Sequence, residues 1–285
     1  MKYVSLILFF SIIFSINSKV LITTSAYNRP EFIELQYKTF KKFIKDDYEY
    51  IVFNDADIED NRIKIESECK RYGIKLIRIP QEIHKVENNT GLFDPYNGRR
   101  TTRAVFRQGD VLTYMFELMG KRHNDIYMFI DSDIFITRPV SIQGVLEDYH
   151  IASACCVGGV KPLNMESPGP EICILNIPKL PHIDSIVFKA GFVGTIFLDP
   201  MHFWQFYLNC HPEVKLKKIA TQMGFIELSE LTHKELSNRG FLDHEIDFIY
   251  KYRDINILNQ IPTKDDYSCF YEKNKTFFNY SHGSN

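Results

Sequence analysis

The segment that decides the fold is Ile126–Ile136, IYMFIDSDIFI, in which an apolar run meets Asp131-Ser132-Asp133 and then becomes apolar again. A run of this kind predicts a strand that is buried on both faces of a parallel sheet. Because a sheet interior does not tolerate bare carboxylates, we expect the strand to end near Ile130. The two aspartates would then lie at its carboxyl edge, where open α/β sheets bind ligands.

The pair of aspartates favours a bound cation. Carboxylates at positions i and i+2 of an extended chain project to the same side, and at about 4 Å apart they repel by roughly 4 kcal/mol at an effective dielectric constant near 20. A hard divalent ion that keeps waters and takes phosphate oxygens removes that repulsion. We therefore predict a metal and diphosphate site at Asp131 and Asp133. The alternative is a loop in which both residues only cap the next segment.

The chain before this segment predicts a doubly wound sheet. Lys19–Thr24 is typical of a first strand, Pro30 opens a helix, and the pattern continues to Ile79 as β-α-β-α-β. A further helix from about Thr101 to Met119 leads into the strand that carries the aspartates. The second half is less regular, with a predicted loop at 167–170, a glycine-lined turn entering a strand at 190–198, and helices at 203–210 and 242–252.

Composition narrows the class of protein. The chain has 285 residues, of which 45% are hydrophobic, so it can bury the core of one large α/β domain. A formal net charge of -2 provides no basic field, and we therefore expect no nucleic-acid partner. The 6 cysteines show no metal-binding spacing, which disfavours zinc. They are expected to be buried free thiols or, in an exported protein, partly disulfides.

The amino-terminal segment predicts an exported protein. Lys2 precedes an apolar run, Tyr3–Ile16, and the small residue Ser18 follows. This order fits a signal peptide, and the run is shorter than the about 20 residues that a membrane span needs. We expect a leader at 1–18, one domain at 19–285, and a location in the secretory pathway or outside the cytoplasm. The alternatives are an uncleaved membrane anchor and a disordered arm.

Taken together, these residues give the chain a likeness of arrangement to a known class. It resembles the GT-A-fold glycosyltransferases, whose Asp-x-Asp motif follows an apolar strand, and the likeness covers most of Lys19–Asn285. The resemblance implies a Rossmann-like, mostly parallel central sheet flanked by helices. It implies transfer of a sugar from a UDP-sugar or GDP-sugar donor to a glycan, protein or lipid acceptor. It also implies Mn²⁺ or Mg²⁺ held by Asp131, Asp133 and His282, although a histidine in a tail is commonly just exposed to solvent.

The resemblance assigns further residues. Gly191, Gly194 and Thr195 would line the acceptor pocket, although glycines there also suit a tight turn. Asp243 or Asp247, on one face of a helix, would take the acceptor proton in an inverting enzyme; the alternative is a solvated acidic face. Arg103 and Arg107, on the helix before the two aspartates, would bind the donor; the alternative is a charged helix surface with ion pairs. The implied donor-binding residues are Ala26, Tyr27, Asn28, Arg29, Asn54, Asp55, Arg103, Arg107, Asp131 and Ser132.

Two rival functions remain open on the sequence. An Asp-based phosphatase or phosphotransferase would use Asp131 as nucleophile and Asp133 as acid and base, but such enzymes usually carry the motif on the first strand, followed by Thr or Val where this chain has Phe135. The second rival is a catalytically silent protein on the same fold that binds nucleotide sugars or glycans. An aspartyl-phosphate at Asp131 would favour the phosphatase, and metal-dependent donor binding without turnover would favour the silent binder.

Overall fold

The computed structural model describes residues 19–84, 103–156, 167–193, 196–198, 200–219, 221–222, 232–252 and 277–279. The leader predicted at 1–18 lies outside these ranges. Strands and helices alternate in the first part of the chain, as the sequence predicts. The elements in chain order are β1 (Val20–Ala26), α1 (Glu31–Phe43), β2 (Tyr48–Asn54), α2 (Glu59–Tyr72), β3 (Lys75–Arg78), α3 (Arg103–Leu118), β4 (Ile126–Ile130), β5 (Ile134–Ile136), α4 (Ile142–Leu146), β6 (Ile151–Cys156), β7 (Ser167–Asn176), β8 (Gly191–Val193), β9 (Ile196–Leu198), α5 (Trp204–Cys210), β10 (Leu216–Ile219), β11 (Thr221–Gln222), α6 (His233–Asn238), α7 (Asp243–Tyr252) and β12 (Phe277–Asn279).

A seven-stranded sheet forms the centre, in the order β10-β6-β7-β4-β1-β2-β3. The neighbours of β1, which are β2 and β4, both run parallel to it. Within this sheet β7 is antiparallel to both of its neighbours, β4 and β6. The predicted fold class, α/β with a mostly parallel central sheet in one domain, is confirmed. Because the chain passes from β1 to β2 on one side and later to β4 on the other, the strand order reverses between β1 and β4.

Both faces of the sheet are covered by helices, which explains why β4 is apolar along its whole length. All five residues of β4 are buried. Met128 packs in the core on the side of α1, where Ile33 and Phe40 lie. Phe129 packs in the core on the opposite side, with Phe116 of α3 and Trp204 of α5. Such strands between two helix layers read as continuous hydrophobic runs.

The strand β4 ends at Ile130, the position expected from the sequence. The three residues that follow form a turn rather than an extended strand, because the Ile134 N–H donates to the carbonyl of Asp131 at 3.1 Å. The expectation that Asp131 and Asp133 share one side of an extended chain is therefore wrong. A second short strand, β5, begins directly after the turn and pairs with β12 in a separate three-stranded sheet.

The predicted loop at 167–170 is wrong, since these residues begin β7. Pro168 lies opposite Cys155 next to a shift in the register between β6 and β7. A side chain at Gly169 would place its Cβ 2.4 Å from the carbonyl oxygen of Ala154, so the strands approach too closely for any other residue. The buried hydroxyl of Ser153 donates to the carbonyl of Ile172 at 2.8 Å. Proline and glycine therefore mark an irregular strand here and not a loop.

Three cysteines in the described ranges are free thiols. Cys69 and Cys173 are buried free thiols, and Cys210 is an exposed one. Burial raises the pKa of the Cys69 thiol to about 12, so it stays protonated at neutral pH.

None of the helices in the described ranges combines the length and the apolar character that crossing a bilayer requires.

Candidate functional site

The site is built at the carboxyl edge of the central sheet, beside the point where the strand order reverses. The register pairs Thr23 with Phe129 and Ala26 with Asn54. The ends of β1, β2 and β4 therefore lie side by side, and the segments that follow them share one edge of the sheet. Ligands of open α/β sheets bind in the crevice at such a reversal.

The turn that carries the two aspartates is held by backbone and side-chain hydrogen bonds. The Asp131 N–H donates to the carbonyl of Glu171 in β7 at 2.8 Å. The Gln36 side chain of α1 donates to the carbonyls of Asp131 at 2.7 Å and of Ile134 at 3.0 Å. Asp133 is 4% exposed, whereas Asp131 and Ser132 are partly exposed. The turn thus offers one buried carboxylate, Asp133, and one partly exposed carboxylate, Asp131, whose Oδ2 lies 3.5 Å from the Gln108 side-chain nitrogen.

The loop after β1 presents an aromatic ring. Tyr27 is 45% exposed, and its hydroxyl donates to Asp57 at 2.8 Å. Asn28 adopts a left-handed conformation with φ 53°, and its amide donates to the same carboxylate at 2.7 Å. Burial favours a higher pKa for Asp57, but the hydrogen bonds from Asn28 and Tyr27 outweigh it and hold that pKa below its usual value. The ionised Asp57 therefore fixes both residues.

A buried ion cluster of Arg107, Asp55 and His84 lies against one face of the Tyr27 ring. The Arg107 guanidinium lies 4.8 Å from the centre of the Tyr27 ring. Its Nε donates to Asp55 Oδ2 at 2.6 Å, and its Nη2 donates to Asp55 Oδ1 at 2.8 Å and to Gln81 at 2.9 Å. Asp55 also lies 2.9 Å from His84. Since two nitrogens of Arg107 point inward to Asp55, its role as a phosphate ligand stays a prediction; the observed contacts make it a support for Tyr27.

The other predicted donor residues line the edge in different ways. Ala26 and Asn54 are buried, and the Asn54 side chain accepts from the N–H of Ala56 at 3.2 Å. It therefore shapes the loop after β2. Arg29 lies 3.5 Å from Glu31 at the surface. Of Arg103 the structure describes the backbone, at the start of α3.

The predicted acceptor residues are only partly described. Gly191 begins β8 and has open space where a Cβ would stand. This space leaves room for a ligand without requiring one. Gly194, Thr195 and the predicted metal ligand His282 lie outside the described residues.

The predicted catalytic helix, α7, is anchored at some distance from the aspartate turn. Asp243 and Asp247 are exposed, whereas Glu245 between them is 1% exposed. Glu245 accepts from Arg138 Nε at 2.8 Å and from Thr137 at 3.0 Å. Thr137 follows β5 and Asp133 precedes it, so the strand separates the anchor from the turn by about 13 Å. The role of Asp243 and Asp247 as base stays a prediction.

Sequence reasoning did not find three residues that the structure brings into the site: Gln36, His84 and Asp57. The signal for Gln36 was a polar residue among the apolar residues of α1, whose buried members include Phe32, Ile33 and Leu35. His84 and Asp57 follow β3 and β2 along the chain, and the ends of parallel strands collect such residues at one edge. Within the described part of the chain, no group of three or more His, Cys, Asp or Glu side chains is arranged to hold a metal ion.

Comparisons with known proteins give only structural neighbours. No protein-family model matches the chain, and no curated protein matches it. Solved structures that align with it include galactosyltransferase LgtC with donor and acceptor sugar analogues (9% identity, TM-score 0.42, 92% of this chain and 87% of that one). Mouse xyloside xylosyltransferase 1 aligns with 9% identity and a TM-score of 0.48, over 92% and 97% of the two chains. The bifunctional glycosyltransferase WbbM aligns with 11% identity and a TM-score of 0.47, over 94% and 46%. All three of these neighbours are glycosyltransferases.

Proposed function

We propose that the chain is a glycosyltransferase that takes its sugar from a nucleoside-diphosphate donor, with a divalent metal ion at Asp131 and Asp133. One observation carries the proposal. An exposed aromatic ring, Tyr27, follows β1, and the aspartate turn follows the adjacent parallel strand, β4, at the reversal of strand order. A nucleoside diphosphate needs a platform for its base and a counter-charge for its phosphates, and the ends of β1 and β4 would supply both at one edge of the sheet.

The Tyr27 ring would receive the base. One face of the ring has the Arg107 guanidinium at 4.8 Å, and nearly half of the residue is exposed. Asn28 and Arg29 continue from the ring along the loop and would reach the ribose. An aromatic ring fixed at both its hydroxyl and its face is ready to stack before a ligand arrives, which lowers the entropy cost of binding. The donor would be a UDP-sugar or a GDP-sugar.

The carboxylates of the turn fit a hard divalent ion. Oxygens from Asp131 and Asp133 would hold the ion. Mg²⁺ or Mn²⁺ is commonly bound by one or two carboxylates together with water and substrate phosphates. Asp133 is nearly inaccessible to water, and a carboxylate in such a place is favoured by a nearby cation. When bound, the ion would act as a Lewis acid on the departing nucleoside diphosphate.

The acceptor would bind near Gly191. The open space at Gly191 suits an acceptor or donor sugar, and Asp243 or Asp247 would serve as base only in an inverting reaction. A glycan, protein or lipid acceptor is equally compatible with these residues. Export by the segment at 1–18 likewise belongs to the proposal.

The decisive experiment is thermal unfolding with UDP, GDP, ADP or CDP, each with and without Mn²⁺. A ligand at one hundred times its dissociation constant adds about 2.7 kcal/mol, or roughly 5 to 10 °C in a domain near this size. We expect the largest shift when one nucleotide and the metal are present together, and the loss of the metal-dependent part of that shift in Asp133→Asn. The exposed Asp148, changed to Asn, is the matched control that keeps the shift. No shift in a folded wild-type sample would reject the proposal.

A further inference from the structure

Gln36 occupies an unusual place for a polar side chain. It lies near the middle of α1, and it is fully buried at 0% exposure. Its neighbours along the helix, Leu35 and Phe40, are ordinary core residues. A buried amide is costly unless its donors and acceptor are all used. The contacts of Gln36 therefore identify what it is for.

The side-chain amide of Gln36 bridges the two ends of the aspartate turn. Its Nε2 donates to the carbonyl of Asp131 at 2.7 Å and to the carbonyl of Ile134 at 3.0 Å. These are the residues that precede and follow Ser132 and Asp133. The turn is closed across the same residues, since the Ile134 N–H donates to the Asp131 carbonyl at 3.1 Å. The amide thus holds the turn from the side of the core.

Tyr50 fixes the orientation of that amide. Its hydroxyl donates to Gln36 Oε1 at 2.7 Å, and burial raises the pKa of Tyr50 far above its usual value, so the hydroxyl keeps its proton. The carbonyls of Asp131 and Ile134 can only accept, so the NH₂ group of Gln36 must face the turn. Every group is therefore satisfied when Tyr50 donates to Gln36 and Gln36 donates to the turn.

We propose that Gln36 is a positioning residue that presets the Asp131-Ser132-Asp133 turn for its divalent ion. The consequence for metal binding rests on the function proposed above, whereas the clamp on the turn is testable without it. A turn already held by core contacts does not have to be ordered when the ion binds, and residues that orient metal ligands in this way typically contribute 10- to 100-fold to metal affinity.

The test compares Gln36→Met with wild type by two measurements. The first is hydrogen exchange of the backbone amides of Ser132, Asp133 and Ile134 without any ligand. The second is the Mn²⁺ concentration that half-saturates nucleotide binding, beside the nucleotide affinity without metal. The double variant Gln36→Met/Tyr50→Phe removes the hydroxyl that the single change leaves without a partner and so protects the fold.

A matched control separates positioning from general destabilisation. Thr23→Val also removes a fully buried side-chain hydrogen bond, the one to the Tyr127 hydroxyl at 2.8 Å, and the hydrogen-bond partners of Thr23 lie in β4 rather than in the turn. We expect at least tenfold faster exchange at the turn and about tenfold weaker Mn²⁺ binding in both Gln36 variants. The metal-free nucleotide affinity should stay within about twofold, and Thr23→Val should show neither effect.

The outcomes distinguish the inference from the proposed function. If wild type binds a nucleotide with Mn²⁺ and the Gln36 variants bind Mn²⁺ as tightly, the positioning role is overturned and the function stands. If wild type binds no nucleotide, the function fails, and hydrogen exchange alone decides the clamp. Exchange at the turn that is equal in wild type and the Gln36 variants overturns the clamp in either case.

Discussion

The carboxylate of Asp55 is 2% exposed, and its partners explain how a charge can be buried there. The Arg107 fork binds both of its oxygens, and His84 lies 2.9 Å from one of them. Breaking such a pair on one side is costly, because the remaining charge loses both water and partner. A guanidinium committed in this way has little freedom to meet phosphates, so we expect the counter-charge of a diphosphate to come from the cation at Asp131 and Asp133.

Tyr27 is the residue whose replacement separates base binding from metal binding. We expect Tyr27→Leu to weaken nucleotide binding by about 0.5–1.5 kcal/mol, the range of an aromatic stacking contact, which corresponds to a factor of about 2 to 12. The loss should be the same with and without Mn²⁺, since the ring makes no metal contact. Isothermal titration under both conditions measures it. Tyr27→Phe keeps the ring and loses only the bond to Asp57, so an equal loss in that variant would contradict the stacking role.

At the scale of elements, α3 and the segment leading into β8 touch at Gly109. A Cβ at Gly109 would lie 2.9 Å from the carbonyl oxygen of Phe188 and 3.2 Å from the N–H nitrogen of Ala190. Alanine favours a helix over glycine by about 1 kcal/mol, but overpacking costs about 1–3 kcal/mol. We therefore expect Gly109→Ala to lower the melting temperature by a few degrees, about 2–4 °C for each kcal/mol.

Gly191→Ala is the matched control for this contact. Open space surrounds the position where its Cβ would stand, so the melting temperature should stay near that of wild type. A Gly109→Ala protein as stable as wild type would mean that the overpacking costs no more than the about 1 kcal/mol that alanine adds to the helix. Gly191→Ala leaves a second measurement available, because a lowered acceptor affinity in a stable protein would support the role proposed for Gly191.

An ion pair with a buried carboxylate helps to join the helix α7 to the end of β5. Glu245 is 1% exposed and accepts from Arg138 Nε at 2.8 Å and Nη2 at 2.9 Å, whereas the Arg138 side chain is 26% exposed. Arg138→Leu leaves a buried carboxylate without its cation, and we expect a loss of about 3 kcal/mol in urea unfolding. Glu245→Leu should cost less, because the remaining arginine can reach water. The double variant should lose less than the sum; additive losses would show that the two side chains are not coupled.

The elements that could be predicted from the sequence are those with a clear local pattern. The strand β4 and the end at Ile130 were predictable, because five apolar residues meeting a charged pair have few other solutions. The start of β7 was not, because Pro168 and Gly169 signal a loop unless the register shift opposite Cys155 is known. The turn at Asp131 could not be predicted for a related reason. Its shape depends on Gln36, which is 95 residues away along the chain, and no local pattern records that contact.

The same limit holds for the whole molecule. The α/β order could be predicted from alternating periodicity, and the edge of the sheet followed from it. The buried cluster at that edge joins Asp55, Gln81, His84 and Arg107, which come from three different parts of the chain. The sequence placed Arg107 on a charged helical face, but the partner of Arg107 is Asp55 at the end of β2. Long-range polar pairs of this kind are selected by burial, which a single sequence does not reveal.

We expect the free energy of unfolding of the chain to depend on the protonation of His84. Burial favours a lower pKa, but the contacts with Asp110, 3.7 Å from Nδ1, and with Asp55, 2.9 Å from Nε2, outweigh it and the nearby Arg107 charge, so the pKa of His84 is raised. Folding then favours the protonated ring. The contribution is fully present below the unfolded pKa of about 6.5 and is lost as the pH rises through the higher folded pKa.

Urea unfolding of wild type and His84→Asn at successive pH values measures this contribution. The free energy of unfolding of wild type should exceed that of the variant below about pH 6.5, and the difference should shrink as the pH rises above it. Glu245→Gln is the opposite control. The Glu245 pKa is lowered, since hydrogen bonds from Arg138, Leu242 and Thr137 outweigh the effect of burial. Its contribution is present above the unfolded pKa of about 4.3 and is lost as the pH falls through the folded value. If the difference between wild type and His84→Asn did not change with pH, His84 would have the same pKa in the folded and unfolded chain, and its charge would add nothing to the contact of Arg107 with Asp55.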